Sequence, residues 1–129
     1  MKRKRIIFIA IITIVVLSNI TPLRQILKMS IDERHYRYSN YDGSFTFYEF
    51  MDRNFEMMKI AHKGCMLDRP GQQDKNIYRL FSKNPLAFWR WRMYFFDERY
   101  KLPYKNWEEI KKTRETENLE KTAGCIVEF

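Results

Sequence analysis

Before composition is considered, the pattern of apolar and polar positions already divides the chain. After MKRKR, the stretch IIFIAIITIVVL from Ile6 to Leu17 is apolar apart from Thr13, and no charge occurs before Arg24. The uncharged run Ile6–Leu23 is 18 residues long. As one helix it would extend roughly 27 Å at about 1.5 Å per residue, against a hydrocarbon core of about 30 Å. The pattern therefore predicts a transmembrane anchor over 6–23, preceded by a basic segment, 1–5. Thr21-Pro22 is a helix-start pair, a capping hydroxyl followed by a proline whose missing N–H costs nothing in the first turn. Leu23, Ile26, Leu27 and Ile31 continue at helical spacing, with Arg24 and Lys28 between them. Residues 24–34 thus read as a juxtamembrane amphipathic segment, or as a linker helix packed on the domain.

From 35 to 129 the pattern changes to that of a small folded domain. HYRYSNYDGSF, residues 35–45, alternates tyrosines with polar residues and contains Asp42-Gly43, which reads as a turn or a short hairpin. Thr46 with Glu49 three residues later has the form of a capping box. It predicts a helix with Phe47, Phe50, Met51, Phe55, Met58 and Ala61 on its apolar face and Gly64 as its left-handed terminus. Asp74 can cap a short helix carrying Ile77, Leu80 and Phe81. Asn106 can cap a last helix whose first turn holds Glu108 and Glu109, where carboxylates suit the helix dipole. That helix is almost wholly polar after Ile110. Cys-Ile-Val near the end of the chain is a candidate strand.

NPLAFWRWRMYFFDERY, residues 84–100, is dense in aromatics with arginines between them. Written as a strand it is two-faced; as a helix, Leu86, Trp89, Met93, Phe96 and Tyr100 form one stripe and Phe88, Trp91 and Phe95 a second. Asn84-Pro85 and the length favour a helix of about sixteen residues. So aromatic a helix is expected to bury more than one side and to form the centre of the core. Its spare side chains, Trp89, Arg90, Trp91, Arg92 and Tyr94, are the candidate partner surface, since Trp, Tyr and Arg dominate protein-binding hot spots. Lipid contact ranks below that reading, and nucleic acid last.

Charge decides against nucleic acid. The chain carries 24 Lys and Arg against 16 Asp and Glu, a net charge of +8. Six of the basic residues and none of the acidic ones precede Ser30, so the remainder is nearly neutral at +2. The basicity belongs mainly to the anchor, and the global argument for a phosphate-backbone partner disappears. Lys2, Arg3, Lys4 and Arg5 instead set topology. Under the positive-inside rule they stay cytoplasmic and the domain lies outside. A cleaved secretory peptide is the rival reading, its basic and apolar regions being of suitable length. Val16-Leu17-Ser18 imitates a cleavage site poorly, and the apolar run is not followed by a lipoprotein cysteine.

Candidate chemistry is sparse. His62-x-x-Cys65 is too short for a metal site alone, and His35 and Cys125 could complete it only by coincidence of folding. Outside the cytoplasm Cys65 and Cys125 can form a disulfide, which would close about 60 residues and stabilise by roughly 4 kcal/mol; two unpaired thiols are the alternative. Neither a nucleophile elbow nor a phosphate-binding loop is present, and two histidines outside any motif leave few acid–base candidates.

The segment NPLAFWRWRMYFFDERYKLPYKNWEEIKK, residues 84–112, resembles short, uncharacterised bacterial single-pass membrane proteins sharing N-P-x-x-F-W-R-W…D-E-R-Y-K-L-P-Y-x-x-W-x-E-I. The resemblance implies a bacterial source and a periplasmic domain, and brings no activity or site residues. The expectation is therefore mainly α: an N-terminal transmembrane helix, then a small helical extracytoplasmic domain, with a short hairpin or C-terminal strand as additions. Its function would be that of a non-enzymatic protein-binding factor at the bacterial inner membrane, without cofactor, metal or small-molecule substrate. A secreted periplasmic protein and a small membrane-surface enzyme are the alternatives.

Overall fold

The computed structural model describes residues 2–31, 35–50, 55–68, 76–116 and 125. Among them the chain is mainly helical. Helices α1 (Lys2–Ser18) and α2 (Thr21–Ile31) precede a hairpin of β1 (His35–Ser39) and β2 (Thr46–Phe50). Helix α3 (Phe55–Leu67), a short β3 (Tyr78–Arg79), α4 (Trp91–Phe96) between two 3-10 turns, and α5 (Trp107–Thr116) follow. These fall into two compact units, one of residues 1–33 and 83–100, the other of 34–82 and 101–129. The aromatic segment therefore belongs with the N-terminal helices, whereas the sequence placed it inside the domain beginning at 35.

The second unit is built on a three-stranded antiparallel sheet of order β2-β1-β3. The alternation in HYRYS has its ordinary cause: Tyr36 and Tyr38 point to the buried face while His35 and Arg37 are exposed. The turn that fixes the register is polar and buried. The Asn40 side-chain carbonyl accepts the Phe45 N–H at 2.9 Å and its amide donates to the Ser44 hydroxyl at 2.7 Å. Asp42 accepts the Ser44 N–H at 2.9 Å. Gly43 supplies the left-handed residue, at φ 72°. With the turn closed at this length, Thr46–Phe50 pairs with β1, Thr46 opposite Ser39 and Phe50 opposite His35. The capping-box reading is thus overturned. Thr, Phe and Tyr are also strong strand formers, and a paired neighbour outweighs a local cap. Glu49 is not a helix cap; it lies fully buried and accepts the Tyr38 hydroxyl at 2.8 Å.

Helix α3 starts at Phe55 and runs through Gly64 to Leu67, so Gly64 is mid-helix and does not terminate it. Phe55, Met58, His62, Cys65 and Met66 are its buried face. They meet the sheet through Tyr38, 5.9 Å from the Phe55 ring, and through Phe45, edge-on to His62 at 5.0 Å. Phe81 closes the same core edge-on to Tyr36 and Tyr38. The short helix expected over Ile77–Phe81 is instead β3 and its flanks, because Arg79 is drawn into backbone pairing on both sides. Its N–H donates to Pro103 at 2.9 Å, and the Leu80 N–H donates to Arg37 at 2.9 Å. Asp74 and the Cys-Ile-Val strand, apart from Cys125, lie outside the described residues.

Both outer strands make a further backbone contact, where an open edge would invite pairing with other chains. Residues 103–105 run beside β3, and the Cys125 carbonyl accepts the Thr46 N–H of β2 at 3.0 Å. Cys125 is bonded to Cys65 of α3, with their Cα atoms 5.9 Å apart. This bond ties the C-terminal region to the helix that backs the sheet. Helix α5 begins as the sequence predicts, the Asn106 side chain accepting the Glu108 N–H at 3.1 Å. Its Ile110 is fully buried and rests against the turn at Gly43.

In the first unit, α1 ends at Ser18 and α2 begins at Thr21, so the expected single span over 6–23 is two helices. Asn19 and Ile20 donate three residues back, to Val16 and Leu17, which tightens and ends the first helix. Among the described residues no helix is long and apolar enough to cross a membrane. The sixteen-residue aromatic helix is also broken. Asn84 and Pro85 form a turn closed by the Ala87 N–H on the Asn84 carbonyl at 3.0 Å, a use of Asn-Pro as common as a helix start. A 3-10 turn over Phe88–Arg90 and the six residues of α4 follow. Asp97 then leaves the helix in an extended conformation and caps the next 3-10 turn, Glu98–Lys101, by accepting the Arg99 N–H at 3.0 Å.

Two glycines give a test with opposite signs. A Cβ on Gly43 would lie 3.0 Å from Ile110 Cγ2 on a left-handed backbone, whereas one on Gly64 meets nothing within 4 Å. Gly43→Ala should destabilise by about 1–2 kcal/mol, and Gly64→Ala should stabilise by about 0.5–1 kcal/mol. Denaturant unfolding followed by near-UV circular dichroism reads both; a neutral Gly43→Ala would contradict the turn.

Candidate membrane and partner surfaces

Helix α1 exposes its apolar residues on all sides. Ile6, Ile7, Phe8, Ile9, Ile11, Ile12, Ile14, Val16 and Leu17 are all exposed, and Ser18 is its one buried residue. A helix apolar all round is the kind found in a core or in lipid. Lys2, Arg3, Lys4 and Arg5 form its first turn and are exposed. Helix α2 is amphipathic, with Leu23 and Ile26 exposed.

The Asn19 side chain, just past the end of α1, bonds the aromatic segment. The Asn19 amide donates to the Phe88 carbonyl at 2.8 Å and to the Val15 carbonyl at 2.9 Å. Its carbonyl oxygen accepts the Arg92 N–H at 3.1 Å. The 3-10 turn Phe88–Arg90 packs against both α1 and α2. Around it, Trp91 Nε1 donates to the Pro85 carbonyl at 2.9 Å, and Tyr94 bonds Asn84 through its hydroxyl at 3.1 Å.

This arrangement changes which aromatic residues are available. Met93 and Tyr100 of the expected core stripe are buried, but Leu86 is 83% and Phe96 75% exposed. Phe95 is 72% and Trp91 41% exposed. The stretch is therefore not the central core helix: α4 is too short to turn both stripes inward. Of the expected partner residues, Trp91 and Arg92 are exposed, while Trp89, Arg90 and Tyr94 are half-buried. Leu86, Phe95 and Phe96 were assigned to the interior by helical spacing, which could not reveal where the helix would break.

A second apolar face lies on α3 and went unread in the sequence. Opposite the buried stripe Phe55, Met58, His62, Cys65, residues Met57, Ile60, Gly64 and Leu67 repeat the same spacing of three, four and three, and all are exposed. Ala61 lies beside them, also exposed. The signal was present as a helix apolar on two sides, but the expected helix follows a cap at Thr46, well before Phe55, and placed Ala61 on the core face.

The chemistry-bearing residues resolve into structural roles. Cys65 is bonded to Cys125 and offers no thiolate, so the His62-x-x-Cys65 spacing holds no metal ligand pair. Among the described residues no cluster of three or more His, Cys, Asp or Glu is placed to hold a metal. His35 is exposed and bonds Tyr48 through its ring. His62 is buried against Phe45 with Nε2 unpartnered, and desolvation lowers its pKa from 6.5. Comparison with protein-family models, with curated proteins and with solved structures gives no match.

Because the native state resists protonating His62 and the unfolded chain does not, stability should fall as pH drops below about 6.5. His62→Met should flatten that part of the unfolding profile between pH 7 and 5; an unchanged slope would exclude His62 as its source. Asn19→Ala should speed amide exchange in peptides covering residues 88–96 while leaving the hairpin 35–50 protected, through loss of hydrogen bonds worth about 1 kcal/mol each. Equal loss in both regions would mean general unfolding and not release of the segment.

Proposed function

We propose that this chain is a membrane-anchored protein-binding factor without catalytic activity, an accessory subunit or an inhibitor of immunity type. The observation that carries binding is the second apolar stripe of α3, Met57, Ile60, Gly64 and Leu67, on a helix whose other face is already committed to the core. Two small residues, Ala61 and Gly64, leave room at its middle for a close-packed partner. Location draws on two independent features. The basic first turn and exposed apolar body of α1 suit insertion from the cytoplasmic side. The Cys65–Cys125 bond suits an oxidising compartment for the second unit. Together with the likeness of residues 84–112 to short bacterial membrane proteins, they favour a bacterial inner-membrane protein with its body in the periplasm.

One observation favours a second reading, a periplasmic protein released by cleavage. The apolar run Ile6–Leu17 is 12 residues, the length of a signal-peptide core and short of the roughly 20 residues of a full span. The mass of the mature protein separates the two, since loss of the first 18 or so residues removes the anchor.

A photo-crosslinking residue at Ile60 should give a discrete protein adduct in intact cells, and one at exposed Glu108 on α5 should not. Adducts at neither position, or equally at both, would count against α3 as the partner face.

A further inference from the structure

The apolar run of α1, 12 residues from Ile6 to Leu17, extends only about 18 Å against about 30 Å of hydrocarbon. A helix inserted from the basic end therefore stops about 12 Å short of the outer hydrocarbon boundary, and whatever is fixed to its C-terminal end lies between that depth and the boundary. What is fixed there is the segment 84–96. Asn19 holds it at Phe88 and Arg92, and the 3-10 turn Phe88–Arg90 packs on α1 and α2. Ile20, Leu23 and Ile26 at the same corner are exposed, as are Leu86, Trp91, Phe95 and Phe96. Exposed aromatics with neighbouring cations are the composition of the membrane–water boundary, where ring bodies sit among acyl chains and polar tips reach water.

We propose that this corner is seated in lipid: Leu86, Trp91, Phe95 and Phe96 enter the outer boundary of the bilayer that receives α1 and complete the apolar thickness that α1 lacks. The inference rests on the anchor reading and names the surface that makes so short an anchor workable. The exposed Lys83 and Arg92 then meet the phosphate headgroups. From Lys83 to Lys101 the segment holds five basic residues against Asp97 and Glu98, a balance of +3 that suits an anionic bilayer. Lipid is favoured over a protein partner by continuity, because the segment shares a compact unit with α1 and so follows directly on the depth at which α1 ends.

The test uses the full chain reconstituted in vesicles of phosphatidylcholine and phosphatidylglycerol. Trp89→Phe and Trp107→Phe leave Trp91 as the sole tryptophan. Its emission should be blue-shifted and lost on substituting lipids brominated near the headgroup, with a smaller loss for lipids brominated near the tail end. If the chain floats with the vesicles but Trp91 emission is unquenched and red-shifted, the corner lies in water and the inference fails while the anchor stands. Blue-shifted but unquenched emission would mean protein cover, by a second copy or a partner, and would also overturn it. Failure to float removes the anchor reading and this inference together. In a chain that keeps all three tryptophans, a photo-crosslinking residue at Phe95 should yield a phospholipid adduct by mass; a protein adduct there would overturn the proposal without relying on the tryptophan variants.

Discussion

A single amide side chain joins two parts of this chain that lie 69 residues apart. Asn19 follows the last turn of α1, donates back to that helix at Val15, and uses its remaining donor and its acceptor on the backbone of Phe88 and Arg92. Together with the packing of the 3-10 turn Phe88–Arg90 on α1 and α2, it joins the two in one compact unit. An amide suits this role because it both donates and accepts, and so satisfies backbone groups on two segments at once.

The other unit solves a different problem, that of a small body with a modest apolar interior. Its core relies on tyrosines, a phenylalanine turn and methionines, and adds buried polar groups, of which Asn40 finds partners within the turn and Glu49 on the Tyr38 hydroxyl. The Cys65–Cys125 bond then makes up for limited burial. Closing the 60-residue separation of the cysteines removes conformations from the unfolded chain worth about 4 kcal/mol on the loop-entropy account.

Some of this was legible from residue order. The turn at Asp42-Gly43, the Asn106 cap, the Thr21-Pro22 helix start and the pairing of two cysteines all rest on local geometry or on a choice between two residues. The errors share one cause. Thr46–Glu49 satisfies a capping box and a strand equally well, and Asn84-Pro85 a helix start and a turn equally well. In each case a partner outside the motif decided: the hairpin neighbour β1 for the first, and the Ala87 N–H with the Asn19 clasp for the second.

The sequence by itself determined that one end is basic and then apolar, that the remainder is nearly neutral, and that a small disulfide-capable domain follows. Those are properties of composition and of near neighbours, and folding does not alter them. Only the tertiary structure decided that the apolar run breaks at Asn19, that the aromatic stretch joins the N-terminal helices and leaves Phe95 and Phe96 exposed, and that α3 carries a second apolar face. Helical spacing records which residues share a side. It carries no information about where a helix ends or what stands against each side, and those two facts set which apolar residues are left to meet lipid or a partner.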